Sequence, residues 1–406
     1  MHTKKAEVVV AGHICLDVIP KLYERKDGAR TLLDPGQLVV VGPAVMSTGG
    51  AVSNAGLALH RLGIPTVLMG KVGDDLFGGK VLDILRGHDR ALAESMSVTP
   101  GEPTSYSIVI SPPGVDRMFL HCSGTNDTFG AGDVDYDRLS DAKLFHFGYP
   151  PIMRRIFSAG GRELERLLIR VRKHNVTTSL DMSMPDPESE SGRVDWKSFL
   201  KRVLPYVDVF IPSFDEILFM LDRGSFAQLK RKAGSRDMLS VASGEMLSSI
   251  GEKLLNMGAA VVGIKLGNEG LYLRTTADPD RLSKAGRCFS ANMDQWTGRE
   301  LLAPVFKVKV VGTTGSGDST IAGFIAGLVK GLPPQDVLTA AVAVGASNVE
   351  KADAVSGVPS WSELRRRIDA GWRRNRTGLN LPGWKWNRRD SVWSGITDKS
   401  QTINKE

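Results

Sequence analysis

VKVVGTTGSGDSTIAGFIAGLVKG, residues 308–331, is the stretch on which the reading of this chain turns. It reads as an apolar strand ending at Val311, then the loop Gly312-Thr313-Thr314-Gly315-Ser316-Gly317-Asp318, then an Ala/Gly/Ile-rich helix. A glycine loop at a helix N-terminus turns several backbone N–H groups toward one point, and the helix dipole adds to the attraction for an anion. The spacing Gly312-x4-Gly317 is that of a P-loop, but Asp318 stands where its lysine belongs, ahead of Ser319. A P-loop NTPase needs that lysine on the β- and γ-phosphates. A carboxylate there repels phosphate unless its task is to take a proton from a hydroxyl attacking that phosphate. The loop therefore reads as an anion hole made by Gly315, Ser316 and Gly317, with Asp318 as a built-in general base. A dinucleotide loop is set aside, because Thr320 occupies the place of the third glycine of GxGxxG and the loop lies late in the chain. Taken alone, the same pattern also suits a tight strand–helix connection capped by an aspartate.

Outward from the loop, short apolar runs alternate with helical patterns. AEVVVAG (6–12), KLFHFG (143–148), VTTSLDM (176–182), VDVFIP (207–212) and AAVVGIKL (259–266) read as buried strands; 51–62, 162–174 and 251–258 read as helices. That rhythm predicts an α/β fold of three layers, a mostly parallel sheet with helices on both faces. Residues 14–45 and 104–122 break it with alternating pieces and no helix of their own; the second reads as a hairpin turning at Pro113-Gly114. Both are expected in a small antiparallel sheet projecting from the body as a lid. Residues 222–250 and 275–304 are polar and irregular and read as insertions or loops.

The chain has 406 residues, 42% hydrophobic and 24% charged, which excludes wholesale disorder, collagen and coiled coil. Its three cysteines, Cys15, Cys122 and Cys288, are far apart and in no CxxC, which argues for a reducing compartment and a cytoplasmic location. No apolar stretch is long enough for a membrane span. The net charge of +7 suggests nucleic acid, but residues 373–406 carry eight Lys/Arg against three acids, leaving only +2 on the first 372 residues. A nearly neutral body speaks against a nucleic-acid partner. The tail 373–406, basic and rich in tryptophan without period, reads as a peripheral appendage.

With these pieces in order, the chain resembles the ribokinase-like (PfkB) carbohydrate kinases. That family's hallmark, D-T-x-G-A-G-D before an Ala/Gly-rich helix, stands here as Gly312 to Asp318 followed by AGFIAGL. Its Gly-Gly-x-x-x-Asn segment is Gly49-Gly50-Ala51-Val52-Ser53-Asn54, and its opening strand with an acid is Gly12 to Asp17. VVGIKLGNEGLYL (261–273) resembles the nucleotide-side strand and its Gly-x-x-Gly loop, and 341–360 the C-terminal helix and adenine-side loop. The resemblance spans roughly residues 6–365, within a domain drawn as 1–372 with lid segments at about 14–45 and 102–124.

It implies ATP-dependent phosphorylation of a hydroxyl on a sugar or sugar-like substrate, with Mg²⁺. Asp17, Gly49, Gly50 and Asn54 are then the substrate side: Asn54 offers a donor and an acceptor and Asp17 two acceptors, which suits a polyol. Lys265, Gly267, Gly270, Thr313 and Asn348 are the nucleotide side, although Lys265 also reads as a solvated strand-end charge. Glu216 matches the acid of the family's Asn-x-x-Glu, which organises Mg²⁺ through water. Ser213 replaces the Asn of that motif and Gly312 the Asp that supports a monovalent-cation site in many relatives. A nucleoside kinase with Tyr106 and Phe119 in its lid, and a sugar- or nucleotide-binding regulator without turnover, stay open as alternatives. His121, Arg117 and Arg154 are candidate phosphate contacts, and a homodimer through the lid sheet is expected.

Overall fold

The computed structural model describes residues 5–24, 35, 36, 38–112 and 117–399. Its first strand, Val8–Gly12 (β1), has no polar position and therefore no solvent face. Val8 and Val10 enter one hydrophobic layer and Val9 and Ala11 the other, as the two-residue period of a strand requires. β1 lies between Thr66–Met69 (β4) and Leu144–Gly148 (β9), parallel to both. Beyond β9 the parallel order continues through Thr177–Leu180 (β10), Val209–Phe210 (β11) and Val261–Lys265 (β12). Leu271–Thr275 (β13), Glu300–Ala303 (β14), Val392–Ser394 (β16) and Lys385–Asn387 (β15) then add antiparallel strands, ten in all. Helices Ala51–Arg61, Ser316–Val329 and Pro334–Asn348 cover one face, and Arg162–Arg172, Trp196–Val203 and Gly244–Asn256 the other. The three-layer expectation holds.

The lid is a separate four-stranded sheet, in the order Ala44–Gly49 (β3), Cys15–Pro20 (β2), Tyr106–Ile110 (β7) and Met118–Cys122 (β8). It is mixed rather than antiparallel throughout, because β2 and β7 run parallel. Residues 38–43 form no strand, and the Pro113-Gly114 turn lies outside the described residues. Lys71–Gly73 (β5) and Ser97–Thr99 (β6) form a small pair below the lid.

Four readings need correction. Residues 308–311 are not a strand: β14 already fills the place beside β13, and Val310 and Val311 are 60% and 58% exposed. Residues 223–233 are a helix started by the Asp222 side chain, with Leu229 and Ala233 buried. The segment read as loop at 275–304 includes β14, a strand of the main sheet. Finally, the tail is not peripheral. β16 pairs with β14, Trp384 is buried, and the buried Asp398 accepts from the Glu300 amide at 2.8 Å and from Arg299 Nε at 3.1 Å. Trp372 stacks on Phe306 with centroids 4.4 Å apart. The unpaired edge of β14 is thereby covered.

Candidate active site

In a parallel sheet the carboxyl ends of the strands converge on one side, where ligands bind. Here Tyr149 follows β9, Asp181 follows β10, Ser213 follows β11 and Lys265 ends β12. All but Asp181 line a cleft of about 900 Å³, floored by the loop at 313–318 and roofed by the lid.

Gly315 adopts φ 65° directly before the helix Ser316–Val329, a backbone that L side chains disfavour, and so brings the loop round over the helix N-terminus. The Ser316 amide turns back to the Thr313 carbonyl at 3.3 Å, so of the three amides expected in the anion hole it is the one already bonded within the loop. Asp318, in the first helical turn, is 4% exposed. Its Oδ2 accepts from Asn54 Nδ2 at 2.9 Å, and Tyr149 Oη donates to Oδ1 and Oδ2 at 2.8 and 2.9 Å. Tyr149 itself holds φ 66°, a conformation that costs about 1–3 kcal/mol and persists only where the surroundings impose it. Burial raises the Asp318 carboxyl above the ordinary aspartate range, against the opposing pull of Lys265, Asn54 and Tyr149. A carboxylate with a raised pKa, held by two donors at a helix N-terminus, is equipped to accept a proton.

Beside it stands one buried cation among three acids. Lys265 Nζ lies 3.7 Å from Asp181 Oδ2, with the lysine side chain 10% exposed. Burial alone would lower its pKa, but Glu216, Asp181 and Asp318 together hold the ammonium above its usual value. Lys265 is thus not a solvated strand-end charge. Burial raises both Asp181 and Glu216. Both Asp181 oxygens are buried without a hydrogen-bond partner, whereas Glu216 Oε2 accepts from the Ser213 amide at 2.7 Å. Hard carboxylate oxygens in excess over nearby positive charge suit a hard divalent cation. His146 next to Asp181 is pushed down to about 3 by burial and then by Lys265, so it stays neutral; its Nδ1 pairs with Ser179 Oγ at 3.0 Å.

At the lid end, Asp17 on β2 faces the cleft with its carboxyl pushed up to about 6 by burial. A Cβ on Gly49 would overlap the Asp17 carboxylate, and one on Gly50, at φ 88°, would overlap the His13 ring. The glycine pair therefore makes room for these two side chains. Asn54 lies inside its helix, whose N-cap is Gly50, so capping does not explain it. With Nδ2 given to Asp318, its buried Oδ1 has no partner. Arg117 Nη2 donates to Thr313 Oγ1 at 3.0 Å, which seats the lid on the loop. Phe119, His121 and Arg154 also line the cleft, whereas Tyr106 packs edge-on against Phe77 at 5.3 Å.

The fold thus gathers Asp17, Gly50, Asn54, Glu216, Lys265, Thr313, Gly315, Ser316, Gly317 and Asp318 around one cleft. It does not bring Asn348, Gly267 or Gly270 to its wall. Asn348 is fully buried under the loop, its Nδ2 donating to the Thr314 carbonyl at 2.8 Å. Gly270 packs against the Ala303 carbonyl, and Glu269 between the two glycines accepts from Thr377 and Gly378 of the tail, each at 2.7 Å. Sequence reasoning missed Tyr149, Asp181 and His13. The available signal was position: each follows a buried strand of the parallel sheet.

The pfkB family carbohydrate kinase model matches residues 5–361. An uncharacterized sugar kinase of Archaeoglobus fulgidus is 25% identical over 303 residues, covering 75% of this chain and 98% of its own. The ribokinase of Schizosaccharomyces pombe is 25% identical over 369 residues, covering 88% and 96%. The solved structure of Arabidopsis thaliana ribokinase complexed with ribose and ATP superposes with a TM-score of 0.63 at 18% identity, over 89% of this chain and 98% of that one. Among the described residues, no helix is long and apolar enough to cross a membrane. A family model spanning residues 5–361, nearly the whole sheet, establishes that the chain belongs to the pfkB family of carbohydrate kinases.

Proposed function

We propose that this kinase transfers the γ-phosphoryl group of ATP to a hydroxyl of a sugar or sugar-like substrate, with Asp318 as the general base. The carrying observation is the Asp318 carboxylate, buried at a helix N-terminus and held by Asn54 and Tyr149. Asp17 and the unpartnered Oδ1 of Asn54 accept from sugar hydroxyls, which leaves the attacking hydroxyl beside Asp318. Asp318 takes its proton as the oxygen attacks phosphorus. The loop amides at Gly315 and Gly317, together with Lys265 and the helix dipole, stabilise the charge that develops on the transferred group. Thr313 stays with the phosphates, while Asn348 supports the loop from beneath. Gly267 and Gly270 shape the neighbouring turn, and the exposed Val310 and Val311 offer an apolar surface for the base. Asp181 and Glu216 would hold Mg²⁺, directly or through water, and the ion would neutralise phosphate charge. Arg117 keeps the lid over the substrate, which excludes water and limits ATP hydrolysis.

A panel of neutral sugars, sugar acids and nucleosides with ATP, read by ADP release, tests the reading. Turnover with a sugar supports it. Turnover with nucleosides alone makes the chain a nucleoside kinase, and no transfer in a single turnover makes it a binding regulator. Exposed Val45, Met46 and Leu120 on the lid further support pairing of two copies through that sheet. A monomer mass in solution would end that reading.

A further inference from the structure

A second cluster in the cleft is left over by this chemistry. His13 follows β1, Cys15 opens β2 and His121 lies on β8, so body and lid both contribute. Their ligating atoms all lie within 4.8 Å of one another. His13 Nε2 and His121 Nε2 face each other at 3.3 Å, longer than the usual N–H hydrogen bond of about 2.9–3.0 Å. Two nitrogens bound at about 2.0–2.1 Å to one tetrahedral zinc stand ~3.3–3.4 Å apart. The observed separation matches that of two ligands to a common ion as well as that of a long hydrogen bond. His121 Nδ1 pairs with Ser107 Oγ at 3.0 Å, which orients the ring and leaves Nε2 for a ligand. His13 is 2% exposed and its Nδ1 has no partner.

We propose that His13, Cys15 and His121 form a binding site for a borderline-soft divalent cation, zinc above all, with the fourth position open to the cleft. Two imidazoles and a thiolate select zinc over magnesium or calcium, whereas the oxygen donors of Asp181 and Glu216 favour the reverse. The two sites thus sort two metals within one cleft. On binding, the Cys15 S–H bond breaks and an S–metal bond forms. The proton leaves to water through Asp17, whose Oδ1 already accepts from Cys15 Sγ at 3.4 Å. Nothing is oxidised or reduced. A filled site ties the lid strand β8 to the opening strand at the sugar end. The inference stands on the cluster's geometry, and its test reads metal directly, so it stands or falls apart from the kinase reading.

The test is a Co²⁺ titration of the full chain by absorption spectroscopy, with Zn²⁺ and Mg²⁺ as competitors. The expected result is one equivalent of Co²⁺ with a thiolate-to-cobalt charge-transfer band, displaced by Zn²⁺ but not by excess Mg²⁺. C15S should lose the band, and H121N, at an exposed lid position, should bind Co²⁺ more weakly than the wild type. Thermal melting of both variants shows whether they are folded. No charge-transfer band in the wild-type protein overturns the proposal. So does a band that persists in C15S, since Cys122 or Cys288 would then be the ligand, and so does displacement by Mg²⁺.

Discussion

The floor and the roof of the cleft are built on opposite terms. At the floor, Asp318, Asp181 and Asn54 are each less than 10% exposed and sit on strand ends or helices of the ten-stranded body. Asp318 is tied to Asn54 and to Tyr149 by contacts 264 and 169 positions apart in the chain. At the roof, Asp17 is only partly buried, and β8 leaves Met118, Phe119 and Leu120 39%, 54% and 51% exposed. The lid meets the floor through few polar contacts, chiefly Arg117 with Thr313 and His121 with His13. The groups proposed for proton transfer, Asp318 and Tyr149, are held by the core, while the proposed sugar acceptors are split between Asn54 on the core and Asp17 on a sheet with little core beneath it. Changes at the floor should therefore appear in kcat and its pH profile, and changes at the roof in the KM for the sugar.

The largest expected effect is at Asp318. Asp318→Asn should keep ATP binding and lower kcat by about 10²–10⁴-fold, the usual cost of a lost general base. Because burial raises the Asp318 pKa, wild-type kcat should fall on acidification through a point above the ordinary aspartate range. Activity within a few-fold of wild type would break the division between floor and roof. Next comes Tyr149→Phe, which removes the hydroxyl shared by both Asp318 oxygens. A hydrogen bond to a charged group contributes about 1.5–3 kcal/mol, so kcat near neutral pH should drop ~10-fold or more. Losing a donor that favours the ionised form should also move the acid limb to higher pH. A drop in kcat with an unmoved limb would make Tyr149 a packing residue only.

At the roof, Asp17→Ala should raise the sugar KM by an amount worth about 1–3 kcal/mol and leave the ATP KM nearly unchanged. The wild-type sugar KM should also climb as pH falls below about 6, where Asp17 takes up its proton and one acceptor is lost. A sugar KM flat across that range would remove Asp17 from the pocket. The smallest expected effect is that of potassium. Gly312 gives a monovalent ion only a carbonyl, with no charge to offset its desolvation, so kcat/KM should change little with KCl at constant ionic strength. A steep, saturating activation would show that the loop has ligands elsewhere. Gly312→Asp is no remedy, because a Cβ there meets Ala352 Cα and O at 2.9 Å and Lys351 O at 3.0 Å.

Legibility in the sequence followed the range of the interaction. The glycine loop before the helix was readable because its glycines, the helix N-terminus and an acid in the first turn all lie within seven residues, Gly312 to Asp318. Asp17 and Asn54 were legible as cleft-lining donors and acceptors once the resemblance located them. Lys265 stayed ambiguous, because the carboxylates that hold its charge come from the segments after β10 and β11 and from the loop. Asn348 was misjudged because its helix end lies under the loop rather than beside it.

The chain by itself determined the layered α/β architecture, the lid as a separate element and the acid-bearing loop. Those features follow from hydrophobic period and local backbone chemistry, which neighbouring residues decide. Only the tertiary structure decided that Tyr149, from the end of β9, reaches Asp318, and that Asp181 is left buried without a hydrogen bond next to Lys265. It also decided that a basic, tryptophan-rich tail without period becomes the outer strands of the main sheet. Each of these depends on which strand ends and edges meet. A strand edge such as β14 offers the same row of amides and carbonyls whatever its side chains, so its partner is chosen by the packing of Trp384 and the burial of Asp398.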